Sequence, residues 1–161
     1  MLPTPALRRR LAAFLYEGVL LFGVLFAVGL VYSIASNQRH ALQGRQGMMA
    51  VTFLALAVYF LWFWTHGGQT LAMKTWHVRV QAAQGGGLSL RQALVRYMLA
   101  WLWFLPAWGV CWLTGWHEFK LVAGATGVWM VMYLLFTRIT PGQQFVHDVI
   151  AGTRVVDTRS T

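Results

Sequence analysis

Glu17 is the residue of this chain most able to do chemistry, because it is a carboxylic acid inside an apolar run. The run covers residues 11–33 and holds no other charged side chain. Hydrocarbon solvates a carboxylate poorly, so such a group must be paired, protonated or turned toward a polar cavity. The whole chain has only four acidic residues, and we therefore expect Glu17 to have a function.

Arg10 and Glu17 are seven residues apart, so they project from nearly the same face of a helix. Glu17 lies roughly 10 Å of helix rise beyond Arg10, which is too far for a direct salt bridge within one straight helix. The partner of Glu17 must therefore come from another element. Three roles are open: a protonated side chain hydrogen-bonded between helices, proton or ion handling, and an assembly contact with arginine or histidine.

His147 and Asp148 form the second candidate pair, and they lie in the C-terminal tail. A histidine beside an aspartate can act as a proton relay. Adjacent helical residues point about 100° apart, however, so the two side chains do not automatically touch. The pair can instead face water, or Asp148 can bind Arg9 or Arg10 at the cytoplasmic rim. We favour that ion pair over a catalytic role.

The sequence lacks the motifs of the common enzyme, metal and nucleic-acid classes. No histidines or cysteines have metal-ligand spacing, and Cys111 is the single cysteine. There is no nucleophile elbow and no phosphate-binding loop. The net charge of +9 comes from basic residues that flank apolar runs, where they set topology and meet anionic headgroups. We therefore expect no enzyme, no metal or other cofactor, and the lipid bilayer rather than nucleic acid as partner.

Four apolar runs predict an all-α membrane protein with four transmembrane helices. Charged residues make up only 11% of the chain, whereas soluble domains carry about a quarter. Pro106 removes a backbone hydrogen bond and should kink the third helix. Tryptophans near the ends of the runs, Trp64 and Trp103 among them, are expected as interfacial anchors. The predicted spans are residues 11–33, 48–65, 97–116 and 121–136.

Basic residues predict that both termini lie in the cytoplasm. In that orientation the loop 66–96 and the tail 138–161 are cytoplasmic too, and residues 1–161 form a single transmembrane domain. The inner segments then hold ten lysines and arginines and the outer segments three, as the positive-inside rule requires. The inner set is Arg8, Arg9, Arg10, Lys74, Arg79, Arg91, Arg96, Arg138, Arg154 and Arg159, and the outer set is Arg39, Arg45 and Lys120.

The cytoplasmic loop is predicted to contain a short interfacial helix and a strand. The helix covers Thr70–Thr75, and the polar and apolar alternation of residues 77–81 has the period of a strand. Ser89 and Gln92 have the spacing of a capping box, so a helix should begin there and continue into the third span.

The tail repeats this order of elements. Thr140 and Gln143 also have capping-box spacing, which predicts a short helix over residues 141–151. Residues 153–157 then form a second strand candidate. Two isolated strands can satisfy their backbone groups only with each other, so we predict that 77–81 pairs with 153–157 as a two-stranded ribbon.

Together these motifs resemble the RDD family of small bacterial membrane proteins. That family is named for an arginine at the start of the first helix, an aspartate within that helix and a second aspartate further on. Arg10 and Glu17 match the first element, with glutamate in place of the aspartate. Residues 145–153 look like the terminal motif and carry the second aspartate as Asp148.

The loop also carries a stretch that looks like a family motif. It covers residues 68–80 and includes Gln69 and Thr70, with Ala72 and His77 in place of the usual glycines. The resemblance covers nearly the whole chain and implies the bacterial inner membrane. It implies little about mechanism: transport of unknown ligands is suggested for the family, and cation–proton exchange is proposed for some members.

Two functions follow as hypotheses. In the first, the protein is a carrier of an ion or small ligand in which Glu17 titrates or binds a cation, and a homo-oligomer supplies the missing walls. In the second, it is a non-catalytic accessory or scaffolding subunit of a larger membrane complex. The residues expected to matter are Arg10, Glu17 and Asp148, with Arg9, Gln69, Thr70 and His147 in supporting positions.

Overall fold

The computed structural model describes residues 2–36 and 45–159 and is mostly helical. Within these residues three helices are long and apolar enough to cross a membrane, and a bent helix pair makes a fourth crossing if it counts as one span. The single helices agree with the first, second and fourth predicted spans. In chain order the helices are α1 (Leu7–Ala35), α2 (Arg45–Thr65), α3 (Leu71–Thr75), α4 (Leu90–Ala100), α5 (Leu105–Thr114), α6 (Phe119–Phe136) and α7 (Val146–Ile150).

The predicted third span, residues 97–116, overlaps the bent pair, which is formed by α4 with its terminal 3₁₀ turn Trp101–Trp103 and by α5, at an angle of 45°. The predicted kink is confirmed, but the helix breaks at Phe104, two residues before Pro106. A proline ring crowds the preceding turn and offers no N–H to the carbonyl of Leu102. Trp129 of α6 occupies that carbonyl instead, since its Nε1 donates to Leu102 O at 2.7 Å. The bend is thereby tied to α6.

The predicted ribbon is confirmed. Strand β1 (Val78–Ala82) pairs antiparallel with β2 (Thr153–Asp157), with Val80 opposite Val155. Both of these valines are buried beneath the helices. The N-terminal segment covers the outer edge of β2, because Asp157 N donates to Pro3 O at 2.9 Å. The N-terminus, the loop and the tail therefore form one cap on the helices.

The capping motifs have different outcomes. Ser89 and Gln92 form the predicted capping box of α4, and Thr70 caps α3 through Met73 N. The predicted helix 141–151 is wrong in its first half. Residues 141–143 form a 3₁₀ turn in which both Gly142 and Gln143 have left-handed φ values, 62° and 55°. An α-helix cannot continue through two such residues, so only α7 forms.

Gly68 joins α2 to the cap in a conformation that only glycine adopts easily. Its φ is 71°, and an added Cβ would lie 2.3 Å from Val80 O. We expect Gly68→Ala to lower the free energy of unfolding by at least about 1–2 kcal/mol, the cost of the left-handed conformation alone. Its neighbour is the matched control: Gly67 has open space around its Cβ position, so Gly67→Ala should change stability by less than about 1 kcal/mol. Thermal unfolding in detergent measures both, and equal losses would contradict the expectation.

Candidate functional site

Glu17 lies on the buried face of α1 and is 8% exposed. Its carboxylate accepts hydrogen bonds from two hydroxyls on other elements. The Tyr59 hydroxyl of α2 donates to Oε1 at 2.7 Å, and Thr70 Oγ1 donates to Oε2. No ion pair among residues 2–36 and 45–159 includes Glu17. The prediction that its partner comes from another element is confirmed, and the partners are uncharged.

The hydrogen-bond chain at Glu17 has a defined direction. Thr70 Oγ1 accepts the backbone N–H of Met73 at 3.2 Å, which leaves its own hydrogen for Glu17. Both carboxylate oxygens therefore accept, as in the ionised form. A proton added at Oε1 would be donated to the Tyr59 oxygen, because a hydroxyl can also accept. The same two hydroxyls can hold Glu17 with or without a proton.

Asp148 is fully buried and is paired with Arg96 of α4. Arg96 Nε lies 2.7 Å from Asp148 Oδ1, and Thr153 Oγ1 donates to the same oxygen at 3.2 Å. The Arg96 guanidinium also lies over the ring of Trp64, 4.2 Å from its centroid, a cation–π contact. Trp64 and Trp103 are buried, so the expectation of interfacial anchors is wrong for these two.

The predicted pairing of Asp148 with Arg9 or Arg10 is wrong. Helix α7 packs against α4, which brings Asp148 under Arg96. Arg9 instead pairs with Asp157 of β2, with Arg9 Nη2 2.5 Å from Asp157 Oδ2. Sequence reasoning counted Arg96 only as an inner positive charge. Its signal was its place directly before the predicted third span, where an arginine must reach a partner or the interface.

His147 is buried between Tyr133 and Asp148. Its Nδ1 lies 2.8 Å from the Tyr133 hydroxyl, and its Nε2 lies 3.7 Å from Asp148 Oδ1. The His147 backbone N–H donates to the same hydroxyl at 3.2 Å, so the hydroxyl hydrogen points to Nδ1. The alternative in which the His147 and Asp148 pair faces water is wrong, because both side chains are buried.

Arg10 is a buried cation, 5% exposed, without an anionic partner among the described residues. Its Nη1 donates to Gln143 O at 2.8 Å. The guanidinium lies 4.7 Å from the ring centroid of Phe145. Its Nε contacts no hydrogen-bond partner in the part of the chain that the structure describes. Asp148 attracts Arg10 only from beyond ion-pair distance.

A cavity of about 380 Å³ brings these side chains together. Its charged or ionisable lining is Arg10, Glu17, Arg96, Tyr97 and His147, and apolar and aromatic side chains such as Phe60 and Trp103 form much of the remaining wall. A cavity of this size, mostly apolar with a few convergent polar groups, is typical of small-ligand sites. Asp148 lies behind Arg96 and does not line it.

The RDD family model matches residues 4–152, nearly the whole chain. This chain belongs to the RDD family. No curated protein and no solved structure matches it. Glu17 and Asp148, the two acidic residues expected from the sequence to matter, have different surroundings: Asp148 is in an ion pair, whereas Glu17 is hydrogen-bonded to hydroxyls beside the cavity.

The supporting residues of this RDD protein have different positions. Thr70 contacts Glu17 directly, and His147 lines the cavity. Gln69 does not reach the cavity, since its Nε2 donates to Val78 O at 2.9 Å and holds the loop to β1. Arg9 lies outside, with Asp157 on the strand ribbon. No cluster of three potential metal ligands occurs among the described residues.

The ionisation states of His147 and Asp148 in the tail of this RDD protein follow from their burial and from the charges around them. Burial is the largest single effect on the pKa of Asp148 and would raise it, but the charges of Arg96 and His147 and the hydrogen bonds from Arg96 and Thr153 together outweigh burial and hold that pKa below its usual value. Burial lowers the pKa of His147 to about 4, so its ring is neutral at neutral pH. The RDD site therefore has a permanent anion behind Arg96 and a neutral imidazole at the cavity wall.

This neutral histidine should make stability depend on pH. Its pKa falls from 6.5 to about 4 on folding, so the unfolded chain binds more protons between these values and stability falls as pH is lowered through that window. The expected loss is about 3 kcal/mol in all. We expect His147→Gln to remove most of this slope, whereas the exposed histidine variant His66→Gln should keep it. Unfolding midpoints over a pH series measure it, and a slope unchanged in His147→Gln would contradict the assignment.

Proposed function

We propose that this RDD protein is a proton-coupled carrier of an ion or small ligand, with Glu17 as the group that binds and releases the proton. One contrast within the molecule supports this proposal. Asp148 is held in one charge state by Arg96 at 2.7 Å, whereas Glu17 is held only by hydroxyls and lines a cavity. A carboxylate kept for packing would more easily take a cation as partner. Hydroxyl partners leave both charge states accessible.

The remaining motif residues serve binding rather than a reaction. Arg10 supplies positive charge at the cavity, and the Arg96 pair with Asp148 anchors the tail under α4. We propose no catalytic step and no cofactor. Binding and release then depend on the proton at Glu17 and on movement of the helices around the cavity.

The proposed setting is the bacterial inner membrane, with the bent pair as one of four spans and both termini in the cytoplasm. The ten inner and three outer basic residues support this orientation. The N-terminal segment, β1 and β2 bind one another, so the three segments that the charge rule places inside belong to one cap. Anionic headgroups at that surface are the expected lipid partners.

The carrier should work as the protein alone, as a homo-oligomer whose copies complete the pathway walls. Native mass spectrometry of the complex gently extracted from its own membrane tests this. A homo-oligomer is the expected result. A foreign subunit in fixed proportion would contradict an autonomous carrier and support the accessory role.

The transport test uses purified protein in vesicles that contain a pH-sensitive dye. Inward gradients of sodium chloride, potassium chloride and sodium naphthalenesulfonate are imposed in turn. We expect at least one gradient to change the internal pH, and vesicles without protein to show no such change. Absence of a protein-dependent pH change with every gradient would contradict the proposal.

A further inference from the structure

Arg10 is a buried positive charge whose hydrogen-bonding capacity is not filled by the described residues. A guanidinium has five N–H donors. One of them reaches Gln143 O, and Nε has no partner among residues 2–36 and 45–159. A buried cation in this condition is costly unless an anion accompanies it. Because Arg10 lines the cavity, a ligand there can supply that anion.

The walls define the rest of the ligand. Phe14, Phe60, Trp101 and Trp103 line the cavity, and Phe14 stacks on Trp103 with ring centroids 5.1 Å apart. Apolar and aromatic walls favour an apolar body, whereas small hydrated inorganic ions would lose their water without replacement. The volume of about 380 Å³ fits a small organic molecule.

The charges around the cavity predict that a proton must enter together with a bound anion. Arg10 and Arg96 balance Glu17 and Asp148, and burial keeps His147 neutral by lowering its pKa. The empty site is therefore neutral when Glu17 is ionised. An added monoanion leaves one excess negative charge in a low-dielectric cavity, and a proton from bulk water on Glu17 removes it.

We infer that the cavity binds an organic monoanion with an apolar body at Arg10, and that Glu17 takes up one proton when the anion enters. The direction of coupled movement, anion and proton together, rests on the proposed function. A cationic ligand fits less well, because the cations Arg10 and Arg96 line the same cavity and would repel it. Tyr97, the other ionisable residue at the wall, donates its hydroxyl to Phe53 O at 2.8 Å and stays neutral.

Three ligands of one shape test the charge preference on the unmodified protein. Equilibrium dialysis measures naphthoate, naphthamide and naphthylmethylammonium against protein in phosphatidylcholine nanodiscs. We expect saturable binding of naphthoate, with the neutral and cationic analogues at least about tenfold weaker. Equal binding of the amide, or tighter binding of the ammonium, would overturn the inference. If palmitate displaces naphthoate, the natural anion is assigned to the fatty acids of the membrane. If octanoate displaces naphthoate but palmitate does not, the anion is assigned to the water-soluble carboxylates.

Arg10→Gln should weaken naphthoate binding at least about tenfold, while Arg8→Gln, an exposed arginine of the same helix, should leave it unchanged. Arg10→Lys keeps the charge and should bind naphthoate more tightly than Arg10→Gln does.

Calorimetry in buffers of different ionisation enthalpy should show that the protein takes up a proton when it binds naphthoate, and Glu17→Gln should abolish this uptake. Binding that is indifferent to Arg10, or that takes up no proton, would overturn the inference. If the protein binds the anion but transports nothing, only the proposed carrier function is contradicted. If the protein transports protons but does not bind the anion, only this inference is contradicted.

Discussion

Asp148→Asn should lower the free energy of unfolding by about 3–5 kcal/mol, the usual cost of breaking a buried ion pair. Asparagine has nearly the same shape, so the loss would come from the charge. Arg96 would remain buried with its guanidinium over Trp64 and no carboxylate at its Nε. Because Asp148 also accepts from Thr153, the connection between α7 and β2 would weaken with it.

The other aspartate–arginine pair among the described residues is the matched control. Asp157 pairs with Arg9 at 2.5 Å, but both side chains retain access to solvent. Solvent screens such a pair, so Asp157→Asn should cost no more than about 1 kcal/mol. Denaturant unfolding in detergent micelles measures both variants. Similar small losses would show that the buried pair contributes little to stability.

The second large effect is expected from Glu17→Gln, which should reduce protein-dependent proton flux in vesicles to the level of vesicles without protein. Glutamine is nearly isosteric with protonated glutamate but cannot exchange a proton. It can still accept from one hydroxyl, of Tyr59 or Thr70, so the cost in stability should be about 1 kcal/mol. A folded protein without flux separates the proton role of Glu17 from a packing role.

Glu118→Gln makes the same chemical change at an exposed position just before α6. Flux in this variant should equal that of the unmodified protein. If instead Glu17→Gln transports protons at the normal rate, Glu17 has no part in coupling. The carrier would then need another proton site.

Local sequence patterns predicted the elements of the cap well. The two strands were found because each was isolated and had only the other to pair with, and the Ser89 cap followed from residue types three positions apart. The tail turn was missed because a capping-box spacing does not reveal the left-handed φ values of Gly142 and Gln143. These depend on how the turn meets the rest of the cap.

The partners in the site were harder to predict, because they are set by packing between distant segments. Arg96 and Asp148 are 52 residues apart, and the sequence does not show that α7 lies against α4. The partners of Glu17 were hard to predict for a different reason. Tyr59 and Thr70 are neutral, so no charge pattern singles them out; the family resemblance pointed to Thr70 but not to its contact with Glu17, and Tyr59 was missed.

The central claim, that Glu17 gains and loses a proton, is tested most directly by infrared difference spectroscopy of the protein in lipid over a pH series. We predict that a band of a protonated carboxylic acid grows as pH is lowered, that it is missing in Glu17→Gln, and that it is retained in Glu118→Gln. If the band is the same in Glu17→Gln, or if Glu17 keeps one protonation state over the whole pH range in which transport occurs, the account is contradicted.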